Sequence, residues 1–141
     1  MEYNNAYRRG LFKEFNEAYF EGKIPKCKIG FSDLPEPLGN YRSEHIRIAS
    51  SPVSVGVPEW EEWFLRETVL HEMIHAYIHL VGDGVKRNVH GKEFHTVVKE
   101  IRKKYGARTF VNPYSALHRR SLNPFVRLRD IMACLLLRYL L

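Results

Sequence analysis

Between Glu59 and Val81 the chain is apolar on almost every side of a helix, with Leu65, Val69, Leu70, Met73, Ile74, Ala76, Ile78 and Leu80 among its residues. A helix of that kind must be covered all round, which places it at the centre of its domain. Into it the run HEMIHAYIHL, residues 71–80, sets three histidines and a glutamate. Any fold open to this chain must bury the helix and still satisfy those four polar groups.

His71 and His75 are four residues apart, so on a helix their side chains stand about one turn apart on one face. Two imidazole nitrogens so placed can share one ion of tetrahedral preference. Glu72 lies about 100° round the helix from His71, where its carboxylate reaches a water at the ion without ligating the ion; this is the HExxH arrangement. His79 continues the spacing, but it is eight residues from His71, or about 12 Å along the axis. Ligands of one zinc all lie about 2 Å from it, so His79 is too far. A third ligand must come from a segment that folds back, and His90 and His95 are the nearby candidates. The alternative, histidines tolerated in a core helix, needs a polar partner for each buried imidazole and a paired or protonated Glu72.

Upstream, Tyr3 to Phe20 places Leu11, Phe12, Phe15, Ala18 and Tyr19 at spacings of three and four, an amphipathic helix ended by Glu21-Gly22-Lys23-Ile24-Pro25. In KCKIGFSDL, Cys27, Ile29 and Phe31 alternate with Lys26, Lys28 and Ser32. In HIRIA, Ile46 and Ile48 alternate with His45 and Arg47. Both read as half-buried strands that pair in a small antiparallel sheet. Tyr41 and Arg42 follow Gly39 at the expected sheet edge, where an extended substrate adds as a strand or the chain simply turns. SSPVSVGVPEW is a loop with Pro58 opening the apolar helix. After a glycine-bearing loop, KEFHTVVKEIRKKYG makes another amphipathic helix with Phe94, Val97, Val98 and Ile101 inside. Trp60, Trp63 and Tyr77 either line a substrate groove or fill the core. The expected class is α+β, helices packed on a short antiparallel sheet with HExxH on the central helix.

At 141 residues one domain is expected, a core over 1–110 followed by a basic, apolar extension over 111–141. Cys27 and Cys134 form no CxxC pair and no disulfide framework, and the N-terminus has no continuous apolar run of a secretory signal; an intracellular, reducing compartment is expected. The apolar stretch Ile131 to Leu141 is broken by Arg138 and is shorter than the roughly 20 residues of a membrane-spanning helix. It is expected to pack on the core or on a second subunit, with membrane-surface attachment a minor option.

The net charge of +6 divides unevenly. Residues 1–85 carry 9 Lys/Arg and 13 Asp/Glu, and residues 86–141 carry 13 and 3, so the two parts are −4 and +10. Clustered positive charge attracts phosphate backbones by releasing their counterions. Lys99, Arg102, Lys103, Arg119 and Arg120 are the candidate nucleic-acid contacts, against the reading that they form a solvated basic surface.

LFKEFNEAYFEGKIP, LGNYR followed by IRIAS, ETVLHEMIHAYIH, and the gap from His75 to the His90 that opens HGKEF together resemble the SprT-like zinc metalloprotease family, in the right order over about residues 7–105. The resemblance implies a small zincin-like fold, with His71, His75 and His90 as zinc ligands and Glu72 as the catalytic carboxylate. His95 has no role in that pattern. It also implies a zinc-dependent endopeptidase acting on DNA-bound or DNA-crosslinked proteins, stimulated by single-stranded or junction DNA. The departure is residues 106–141, which hold one cysteine and no metal-ligand spacing where many relatives carry a zinc-binding module or a longer tail.

Two other functions fit parts of the sequence. One is a nucleic-acid-binding module with a structural zinc, against which stand Glu72 and a site of three protein ligands, since structural zinc is normally closed by four. The other is a zinc hydrolase of another substrate.

Overall fold

The computed structural model describes residues 4–32, 39–42, 44–49, 58–82 and 90–105, with the backbone alone at 32, 49, 58–61, 63 and 64. The chain divides into two units, Met1–Thr109 and Phe110–Leu141, and every described residue lies in the first. The side chains of Trp60 and Trp63, Arg119 and Arg120, and the extension over 111–141 are outside the described residues.

Helix α1, Asn5–Phe20, starts where Asn4 accepts hydrogen bonds from the Ala6 and Tyr7 amides at 3.0 and 3.1 Å, the satisfaction of orphan donors that makes asparagine a good N-cap. It stops at Glu21, which is left-handed at φ 57, and at Gly22, whose amide reaches back to the Asn16 carbonyl at 2.8 Å. That bond folds the departing chain back over the C-terminal end of the helix, where carbonyls lack donors within the helix itself. The Asn16 side chain then donates to the Ile24 carbonyl and accepts from the Ile24 amide, at 2.8 and 3.0 Å, which aims the chain toward the sheet.

Strand β1 is Lys28–Ser32, β2 is Gly39–Arg42 and β3 is His45–Ala49, in the order β1-β3-β2. The wholly antiparallel sheet expected from the alternations is therefore corrected to a mixed one: β1 runs parallel to β3, with Ile29 opposite Ile46 and Phe31 opposite Ile48. The cause is GNYR, Gly39–Arg42, which forms a strand of its own. It pairs antiparallel with β3, Gly39 opposite Ile48 and Arg42 opposite His45, and so takes the hairpin position with Glu44 at φ 61 in the turn. β1 is left with the far edge of β3. Ser32 and Gly39 lie at the same end of the sheet, opposite Ala49 and Ile48, so β1 ends where β2 begins and must run parallel to β3.

Helix α2, Pro58–Leu80, packs against α1, β2, β3 and the last helix, α3, Lys92–Tyr105. Leu65, Val69, Met73, Ile74 and Ala76 are buried, as a helix apolar all round requires. Ile46 and Ile48 from β3, Leu11 and Phe15 from α1, and Phe94, Val98 and Ile101 from α3 complete the core. Tyr77 is only half-buried, stacked against Phe20 at 5.3 Å between ring centroids. α1 also packs on β1, where the buried Arg8 guanidinium lies 3.3 Å from the centre of the Phe31 ring. α3 ends in Arg102, Lys103 and Lys104, cations that complement the negative end of its dipole.

Candidate metal centre

The central helix and the turn before α3 bring three imidazoles to one point. The Nε2 atoms of His71 and His75 are 3.2 Å apart, those of His75 and His90 3.2 Å, and those of His90 and His71 3.0 Å. His71 is buried, His75 half-buried and His90 exposed, so the cluster opens to solvent on the His90 side. Among the described residues it is the one cluster of three metal-ligating groups.

Three mutually close ring nitrogens cannot satisfy one another, because each neutral imidazole has a single N–H and one lone pair, both fixed in the ring plane. A cation among them satisfies all three. Nitrogens held at about 2.0–2.1 Å from one tetrahedral zinc stand about 3.3 Å apart, close to the separations observed. Burial first, then the neighbouring imidazoles of His75 and His90, pushes His71 down to about 3, and burial followed by His95 lowers His90. Both are neutral at physiological pH, the form that ligates a metal.

Phe94, 1% exposed, lies beneath all three rings, its centroid 5.0 Å from His71, 4.6 Å from His75 and 4.8 Å from His90. Its place in the core was evident from the α3 pattern; its contact with every member of the cluster was not. His95 points elsewhere, on the exposed side of α3. His79 also stays out of the cluster, and its Nδ1 lies 2.8 Å from the Tyr41 hydroxyl.

Glu72 is 5% exposed, and burial pushes its carboxyl up to about 8 against the opposing hydrogen bond from the Tyr41 amide. That bond comes from β2, which runs alongside α2. Gly39, two residues earlier, approaches so closely that a Cβ there would stand 2.6 Å from Glu72 Oε1. Gly39 and Tyr41 were expected near a sheet edge; what was missed from sequence is the approach of Gly39 to Glu72 and the pairing of Tyr41 with His79. The only signal was the glycine inside LGNYR, where a strand was not recognised. Among the described residues β2 has β3 on one side alone, so it is an edge strand lying beside the carboxylate.

Of the candidate nucleic-acid contacts, Lys99, Arg102 and Lys103 are exposed on α3. Their neighbour Lys104 pairs with Glu21. No described helix is long and apolar enough to cross a membrane.

Residues 8–115 match the SprT-like family. The chain is 32% identical over 117 residues to the DNA-dependent metalloprotease SPRTN of Bos taurus, an alignment covering 78% of this chain and 23% of that relative. The protein of the same name from Homo sapiens is 31% identical over 117 residues, with the same coverages, and that from Xenopus tropicalis 31% over 110 residues, covering 73% of this chain and 24% of the relative. The chain thus spans about a quarter of the length of these relatives.

Proposed function

The chain belongs to the SprT-like family, and we propose that it is a zinc-dependent endopeptidase of the HExxH…H type, acting on proteins bound or crosslinked to DNA. The observation that carries this reading is the convergence of the His71, His75 and His90 Nε2 atoms beside a buried Glu72 and an edge strand. His71, His75 and His90 would hold the ion. When bound, zinc supplies Lewis acidity and lowers the pKa of water to about 7.

The chain's own residues supply the rest. Glu72, whose ionised form a cation held by the three imidazoles would favour, would take the proton of the attacking water on its carboxylate and deliver it to the leaving amine. The Tyr41 amide fixes the carboxylate on one side, and the packing of Gly39 fixes it on another. Phe94 holds the imidazoles at their spacing. An extended substrate adds to the open edge of β2 as a further strand, its main chain aligned past Glu72 through backbone hydrogen bonds that ignore side-chain identity. Such a site selects weakly, so selectivity comes from where the protein is held. DNA supplies that location, through Lys99, Arg102 and Lys103 on α3 together with Arg119 and Arg120; the relatives' description as DNA-dependent supports this part. An intracellular location belongs to the same reading, supported by a buried free thiol at Cys27.

The test is cleavage of a DNA-binding protein by the purified chain, with and without DNA and with a chelator, alongside elemental analysis. One equivalent of zinc and cleavage that is lost on chelation and stimulated by DNA are expected. Zinc-loaded protein that binds DNA and cleaves nothing would sink the peptidase reading in favour of a binding module.

A further inference from the structure

The three strands present two unlike faces. Ile29, Phe31, Gly39, Tyr41, Ile46 and Ile48 turn toward α1 and α2, as the burial of Ile46 and Ile48, the approach of Gly39 to Glu72 and the Tyr41–His79 bond require. The intervening residues face the other way, because successive side chains alternate across a sheet. The register then sets Lys28, His45 and Arg42 in one row across the three strands and Gly30, Arg47 and Asn40 in the next.

Lys28, Arg42, Arg47 and Asn40 are exposed, and nothing lies within 4 Å of a Cβ built on Gly30, so among the described residues this face is uncovered. No described carboxylate pairs with Lys28, Arg42 or Arg47, in contrast to Arg66 with Glu14 and to Lys23 and Lys104 with Glu21. The acid closest in sequence is Glu44, in the turn at one end. Strands about 4.8 Å apart put Lys28 and Arg42 about 10 Å from each other, with Arg47 about 7 Å further along β3 than His45. Lys26 adds another exposed cation just ahead of β1. The net charge of −4 over residues 1–85 concealed this patch, because the sheet collects three of that part's nine cations and Lys26 beside it makes a fourth.

We propose that this outer sheet face is a docking surface for duplex nucleic acid, held through its phosphates by Lys28, Arg42 and Arg47. It deepens the DNA coupling proposed above and rests on that part of the reading. A nucleic-acid backbone fits because its charge is dense and regular, about one per 1.7 Å of duplex axis. Duplex fits better than single strand because the one ring on the described part of this face, the half-buried imidazole of His45, makes a poor platform for a run of unpaired bases. β2 links the two functions: Gly39 and Tyr41 turn inward to Glu72 and His79, while Asn40 and Arg42 turn outward. A protein attached to a duplex on the outer face is thereby presented at the strand that borders the candidate centre.

The experiment uses the full chain, a labelled 20-base-pair duplex and a single strand of equal length, with fluorescence anisotropy followed across a salt series. K28Q/R42Q/R47Q is compared with wild type and with K99Q/R102Q/K103Q. Loss of three phosphate contacts is expected to flatten the slope of log K against log salt by about 2.7 for the duplex, with zinc content and melting temperature unchanged. A triple variant with the wild-type slope would overturn the proposal. So would tighter binding of the single strand, or displacement of the duplex by poly-glutamate of equal charge as readily as by unlabelled duplex. Binding is measured without turnover and also in Glu72→Gln, so failure of the peptidase reading leaves this result interpretable.

Discussion

Gly39 and Glu72 leave no space between them for a methyl group. A Cβ on Gly39 would stand 2.6 Å from Glu72 Oε1, 2.9 Å from Glu72 Cγ and 2.8 Å from Thr68 Cγ2. Thr68 and Glu72 are both buried on α2, so neither side chain can swing away into solvent. Gly39→Ala should therefore push the carboxylate off its position or move β2 outward, at about 1–3 kcal/mol of stability. We expect the variant to keep its zinc and to lose more than tenfold in kcat/KM. Wild-type turnover in a folded Gly39→Ala protein would mean that the carboxylate's placement is not set by β2.

The Tyr41 hydroxyl and His79 Nδ1, 2.8 Å apart, tie the same strand to the last turn of α2. Tyr41→Phe removes that tie together with the hydrogen bond from the Glu44 amide and leaves the ring packed, so the cost should be about 2 kcal/mol, at about 1 kcal/mol for each hydrogen bond. As a positioning pair, Tyr41 and His79 should affect KM for long peptides more than kcat, since the strand aligns substrate. Melting curves together with Michaelis parameters on a long and a short peptide would check this. A fall in kcat alone, equal for both peptides, would point instead to direct participation of the hydroxyl in the chemistry.

Removing single imidazoles separates ligand from bystander. His90→Ala should release the metal at neutral pH, whereas His79→Ala and His95→Ala, which alter rings outside the cluster, should retain a full equivalent. Glu72→Gln should also retain it while cleavage disappears. Elemental analysis of the four proteins decides the set, and zinc bound normally by His90→Ala would dissolve the proposed centre.

Phe94 beneath the cluster should matter to the metal without touching it. Phe94→Leu keeps an apolar core residue but removes the ring that all three imidazoles contact, tilted for His71 and His75 and edge-on for His90. We expect zinc affinity to fall about 10- to 100-fold, as when a supporting contact around a metal site is lost. Competition with a chromogenic chelator measures this, and unchanged affinity would reduce Phe94 to a core filler.

Much of this arrangement was legible because it is local. The three helices follow from apolar spacing and from Gly22 and Pro58 at their ends, while the Asn4 cap of α1 was not read from the sequence; the His71–His75 pair follows from a four-residue step on one helix. His90 against His95 was open on spacing alone and was separated by the resemblance; in the structure His90 lies in the cluster and His95 on the outer side of α3. What escaped was pairing between segments. The alternations at 28–32 and 45–49 are the same whether the strands run parallel or antiparallel, and the direction was decided by a third strand hidden in LGNYR. The basic sheet face escaped for the same reason, since Lys28, Arg42 and Arg47 come together only through register.

Cys27 gives a pH-dependent prediction away from the centre. Burial pushes its thiol up to about 11, and its Sγ donates to the Glu44 carbonyl at 2.8 Å. The folded value lies above that of the unfolded chain, about 8.5. The fold therefore favours the neutral thiol. Its contribution is present in full below about pH 8.5 and is lost as pH rises toward about 11. Between those limits the unfolded state gives up a proton that the native state keeps, so stability falls. Cys27→Ala lacks this term and should lose less stability than wild type between pH 8.5 and 11, while lysine and tyrosine titrations, common to both proteins, cancel in the difference. At pH 8 the peptide containing Cys27 should resist iodoacetamide in the native protein and react when urea is added. Parallel stability curves for the two proteins, or rapid native labelling, would show that the thiol ionises freely within the fold.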